Sequence, residues 1–176
     1  MLRSVRVEDE LDKIVHPELV GQGAWSKYTS TDKNFSILYP PNWKLIGENS
    51  SEAEYIYFSL KNSSIEHSDS LQIGITIIPN DSGKNVYDWY KDMLKMTESQ
   101  LHPAFLRALD SVGGEDAREV EGIVEFQRSN QAAVMFQGKK YYFWVQPFEN
   151  EGRWSVFKSD LDIIFHQMLF SVQFEK

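Results

Sequence analysis

The stretch Phe35-Ser36-Ile37-Leu38-Tyr39-Pro40-Pro41-Asn42-Trp43-Lys44-Leu45-Ile46 limits what this chain can fold into more than any other. Phe35, Ile37 and Tyr39 alternate with Ser36 and Leu38, which predicts a strand. Pro40 has no N–H to give to a ladder, and Trp43 and Leu45 resume the alternation after Asn42. The pattern predicts a hairpin-like opening of a sheet, with further strands and two helices downstream to complete its core.

Glu54 to Leu60 is nearly continuous in apolar residues and predicts a central strand covered on both faces. Leu71 to Ile77 follows with a strict period of two, ended by Pro79-Asn80-Asp81-Ser82-Gly83. From Asn85 the period becomes helical, placing Val86, Trp89, Tyr90, Met93, Leu94 and Leu101 on one side; Asn85 and Asp88 have capping-box spacing. This Met and aromatic stripe reads as a packing face. After Pro103, the residues Ala104, Phe105, Ala108 and Leu109 predict a short helical continuation. Gly113-Gly114 reopens the sheet, and Glu119 to Phe126 sets Val120, Val124 and Phe126 toward a core and Glu119, Glu121 and Glu125 toward water.

Residues 131–136 and 139–145 predict a second hairpin that turns at Gly138. A last helix is predicted to open at Ser159, with Asp162 as its capping partner and a buried stripe of Leu161, Ile164, Phe165, Met168 and Leu169. Ser171 to Phe174 closes as a short strand. At the other end, Val7, Leu11, Ile14 and Val15 have helical spacing until His16-Pro17, so residues 1–30 read as an N-terminal arm or helix that covers the domain's own edge or docks on a partner. Residues 31–176 read as a single domain. Strands, a long helix, more strands, a short helix and a final strand make an α+β chain whose helices pack on a mostly antiparallel sheet.

A length of 176 residues suits one core, and an aromatic content of 14% supplies its bulk. The formal charge of −8 repels phosphate backbones, which argues against nucleic acid as a partner. No apolar run approaches the ~20 residues of a membrane-spanning helix. Without cysteine there are no thiol nucleophiles, thiolate metal sites or disulfides. Met1-Leu2-Arg3-Ser4-Val5-Arg6 carries the charge of a signal peptide's first region but not the apolar stretch that must follow. An exported or surface-anchored protein, whose longer precursor would carry a signal or a lipid anchor, is slightly favoured over a cytoplasmic one.

Phe35 to Trp43 read together with Phe165-His166-Gln167-Met168-Leu169-Phe170-Ser171-Val172-Gln173-Phe174 resembles the opening and ending of the PsbP-like superfamily. That superfamily includes the extrinsic PsbP proteins of photosystem II, the Ran-binding Mog proteins and many bacterial surface lipoproteins. Gly138-Lys139-Lys140-Tyr141-Tyr142 looks like the family's hairpin before its last strand. The likeness spans roughly Phe35 to Phe174, departs from the family pattern at Val172, and carries a long segment around His102 to Glu115. It implies an α/β/α sandwich around an antiparallel sheet, used for binding or assembly without catalysis.

The shared residues are structural, so no catalytic, cofactor-binding or metal-ligating residue is carried over, and no cofactor is expected. His16, His67, His102 and His166 show no helical ligand spacing. Glu66, His67 and Asp69 form the nearest approach to a local ligand group, and His166 falls off the buried helical stripe, where it reads as exposed. Nucleophile elbows and phosphate-binding glycine loops are absent from the sequence. These features favour a non-catalytic module for a protein or cell-envelope partner; the strand Tyr141 to Val145, if one face is exposed, and the loop Asn62 to Ser70 are candidate contact surfaces, although core-filling aromatics and a simple connecting loop are the favoured reading. The alternative is a small-ligand carrier or enzyme with a cleft between sheet and helix, involving His67 or His102.

Overall fold

The computed structural model describes residues 11–30, 34–49, 54–61, 71–93, 106–120, 131–146 and 155–175. Its strands are β1 Ser26–Ser30, β2 Phe35–Tyr39, β3 Trp43–Asn49, β4 Glu54–Leu60, β5 Gln72–Pro79, β6 Leu106–Val112, β7 Glu115–Val120, β8 Gln131–Phe136, β9 Lys139–Gln146 and β10 Gln173–Phe174. The helices are α1 Val86–Met93 and α2 Lys158–Phe170. Seven strands form one sheet in the order β3-β4-β5-β9-β8-β7-β6, and three form another, β1-β2-β10. Every ladder is antiparallel.

The proline turn does not join two halves of a hairpin. β2 pairs with β1 and β10, whereas β3 pairs with β4, so the turn hands the chain from the small sheet to the large one. Trp43 N–H donates to the Pro40 carbonyl at 3.1 Å, which closes the turn. Pro40 and Pro41 can donate nothing, and the Leu38 N–H is taken by Ser171 Oγ at 2.9 Å, so no β2–β3 ladder can start there.

The core lies between one face of the large sheet and a layer built from α2 and the small sheet. Phe35, Ile37, Phe58, Ile75, Tyr141 and Phe165 are all fully buried within it. Phe35 packs edge-on against Tyr141 at 5.6 Å, and Phe174 of β10 stacks on Phe136 at 4.5 Å. On the opposite face α1 lays Val86 and Tyr90 against Ala133, with Met135 and Tyr142 beside them. The large sheet is thus sandwiched between helices, as the α/β/α expectation has it.

The β8–β9 hairpin turns through Gln137 and Gly138, whose φ values of 46° and 72° give the left-handed pair that a two-residue turn requires. The α2 stripe of Leu161, Ile164, Phe165, Met168 and Leu169 is buried as expected. Asn85 Oδ1 accepts the Asp88 N–H at 2.9 Å and caps α1.

Three local expectations need correction. Residues 106–112 form edge strand β6 paired with β7 instead of a helix, because ladder pairing outweighs the helical preference of Leu106, Ala108 and Leu109. α2 begins at Lys158 directly out of a 3-10 turn, Ser155–Phe157, so Ser159 sits inside the first turn and caps nothing. Glu119 is buried instead of solvated, because β7 directs Ala117 and Glu119 together toward the core side.

The N-terminal segment is fastened to this body. Leu19 is fully buried in the core, Trp43 Nε1–H donates to the Leu19 carbonyl at 2.6 Å, and Asn42 Nδ2–H donates to the Glu18 carbonyl at 2.7 Å. The Asp160 carboxylate accepts the backbone N–H groups of Val15 and His16 at 3.2 and 2.7 Å. Asp160 stands in the first turn of α2, where the helix dipole favours a negative charge. Residues 1–10 lie outside the described part of the chain.

Candidate functional site

Strand β9 divides the aromatic run by parity. Tyr141, Phe143 and Val145 enter the core, and Tyr142 and Trp144 face the other side. Tyr57, Gly74 and Trp144 are register partners across β4, β5 and β9. Gly74 has no side chain, so the Trp144 indole lies flat across it, donates Nε1–H to Thr76 Oγ1 at 3.0 Å and reaches to within 6.4 Å of the Tyr57 ring. Tyr55, two residues back along β4, is 38% exposed. The result is a half-covered aromatic row on the outer face of the sheet, beside the part that α1 covers.

His166 is not an exposed bystander. Its Nε2 lies 2.7 Å from Glu119 Oε1, and its Nδ1 lies 2.8 Å from the Asp162 carbonyl. A carbonyl only accepts, so Nδ1 carries a hydrogen, and one further proton is shared between Nε2 and the carboxylate. Both ring nitrogens are engaged, which leaves neither for a metal or a substrate. The pair ties α2 to β7, and the ring stacks on the half-exposed Phe170 at 6.0 Å. Sequence spacing missed it because the two partners stand 47 residues apart; the one available hint was Ala117 two residues before Glu119, a small apolar residue on the same face.

Beneath α1 a third group forms. Arg118, Ala133 and Tyr142 are successive register partners on β7, β8 and β9, and Tyr90 packs on Ala133. The Tyr90 hydroxyl and Arg118 Nε are buried without a hydrogen-bond partner. Burial, then the neighbouring Tyr142 and Glu119, pushes the Tyr90 phenol well above its ordinary value, and burial does the same for Tyr142. Trp89 packs on Tyr90 and Tyr142, with Lys140 Nζ 5.4 Å from its ring.

The His16 ring contacts Glu18 at 3.1 Å and Phe157 edge-on at 4.7 Å. The loop Asn62 to Ser70 with Glu66, His67 and Asp69, and also His102, Glu121 and Glu125, lie outside the described residues. Among the described residues no cluster of three or more His, Asp or Glu side chains is placed to hold a metal ion.

Two antiparallel sheets with a helix on either side of the larger one define a PsbP-like α+β fold, in agreement with the sequence resemblance. The chain is similar to the cyanobacterial PsbP of Synechocystis sp. PCC 6803, with a TM-score of 0.52 and 18% identity over 89% of this chain and 95% of that one. A crystal structure from Bacteroides thetaiotaomicron aligns at 14% identity and a TM-score of 0.47, over 85% of this chain and 48% of that chain. No protein-family model matches the sequence, and no curated protein matches it either.

Proposed function

We propose that this domain is a non-catalytic binding or assembly module that docks on a protein or cell-envelope partner. The observation that carries the reading is the aromatic row Tyr55, Tyr57 and Trp144 on the outer sheet face, with Tyr55 38% exposed. Rigid aromatics with a polar tip lose little side-chain freedom on docking and are the residues around which interfaces concentrate their energy. Among the described residues, three groups with catalytic potential serve the fold instead: Asp160 holds the N-terminal segment, and His166 and Glu119 hold α2 to β7. The PsbP-like fold adds support, since it is typically used for binding and assembly; the weight of a fold likeness is small beside that of a site.

The test is capture from the source cell's soluble and envelope fractions with the wild-type domain and a Tyr55→Ser variant as baits, followed by mass spectrometry. One stoichiometric partner on the wild type, depleted on the variant, is expected. No stoichiometric partner under low salt overturns the docking role. Equal capture by both baits overturns the assignment of this face.

A further inference from the structure

We infer that the seam between α1 and strands β7 to β9 is a binding site for a small carboxylate ligand. Arg118 and Tyr142 flank Ala133 in one cross-strand row, with neighbouring strands about 5 Å apart, so their side chains rise on the same face. The methyl group of Ala133 keeps the middle of the row low, and the Tyr90 ring of α1 occupies that gap. Three polar groups thereby meet from two strands and a helix, over the Ala133 methyl group of the strand between.

Two of them lack a hydrogen-bond partner. The Tyr90 side chain is fully buried and its hydroxyl has no partner. Arg118 Nε is equally buried and has no hydrogen-bond partner; Asp116 Oδ1, its ion-pair partner at 3.8 Å, is too far for a hydrogen bond. Burial keeps both phenols protonated, and a guanidinium does not lose its proton, so the seam presents a cationic donor and two hydroxyls able to donate. Buried polar groups in native proteins are almost always satisfied by a protein group, water or ligand. A carboxylate oxygen fits this set because it accepts from a hydroxyl and a guanidinium N–H at once and balances the Arg118 charge. Arg118 and Tyr142 are only partly buried, which leaves a rim for entry, and the Trp89 ring lies beside it.

The test is an NMR titration of the isotope-labelled domain with sodium acetate against sodium chloride at matched ionic strength, following the Arg118 Nε–H resonance. A saturable shift in acetate alone, weakened about tenfold or more in Tyr90→Phe, is expected from loss of one hydrogen bond to a charged acceptor. Should Tyr90→Phe fail to fold, Arg118→Lys keeps the charge and removes the Nε donor, and the saturable acetate shift, followed for both proteins at the Ala133 and Tyr142 backbone amides, must weaken similarly. A non-saturating response, an equal response to chloride, or undiminished binding in a folded variant overturns the site and leaves an ordinary buried water as the partner. The readout is independent of partner capture, so its failure does not bear on the docking role.

Discussion

At Gly74 a hydrogen stands where any other residue would place its Cβ, and a Cβ there would overlap the Trp144 indole. Gly74→Ala is expected to displace the indole from Thr76 and to cost about 1–3 kcal/mol as overpacking, read from urea unfolding together with tryptophan fluorescence. At the His166–Glu119 pair, His166→Leu is expected to cost about 1.5–3 kcal/mol, the range for hydrogen bonds to charged groups; Glu119 has a further contact that limits the loss. Adding Glu119→Leu should return part of that cost, and a double-mutant cycle measures the coupling. Purely additive costs would show that the 2.7 Å contact does no energetic work. Alternation alone reads these two residues wrongly. It gives two faces for β7 but not which one meets the core, and the deciding partner comes from a helix far along the chain.

At the scale of elements, the parts legible in the sequence are those whose information is local. The β8–β9 hairpin is fixed by Gln137-Gly138 and two apolar flanks, and α2 by a stripe at helical spacing. β2 and β3 are legible as strands but not as members of different sheets, because membership depends on β10 and β4, which lie elsewhere in the sequence. β6 escapes for a related reason: Leu106, Ala108 and Leu109 suit a helix by themselves, and only β7 beside them makes a strand. The N-terminal segment poses the same problem, since its anchor is Asp160. Asp160→Ala is expected to cost about 2–4 kcal/mol through the loss of two charge-assisted hydrogen bonds and to speed hydrogen exchange at the Val15 and His16 amides before the rest of the fold. Unchanged exchange at those two amides would mean that Leu19 alone holds the segment.

For the whole molecule, the buried phenols set an alkaline limit. Tyr90 and Tyr142 are held above the ordinary value of 10.0 in the folded chain and return to it on unfolding. The folded state therefore keeps protons that the unfolded state gives up, and stability is fully present below about pH 10 and falls above it. The slope approaches about 1.4 kcal/mol per pH unit for each phenol, and Tyr142→Phe should remove one share of it in denaturant midpoints measured from pH 9 upward. Helices packed on a mostly antiparallel sheet were legible in the order of elements, and the α/β/α sandwich in the family resemblance; the second, three-stranded sheet was not, because no local pattern announces it. That small sheet also has a bearing on biosynthesis. β10 pairs with β2, the Glu175 N–H donates to the Asn34 carbonyl at 2.8 Å, and Gln173 bridges to Gly113 at the tip of the β6–β7 hairpin. A nascent chain that has already made β1 and β2 cannot complete their layer until β10 leaves the ribosome. The apolar faces of Phe35 and Ile37 must then wait while β3 to β9 are made, an interval in which they are exposed to aggregation.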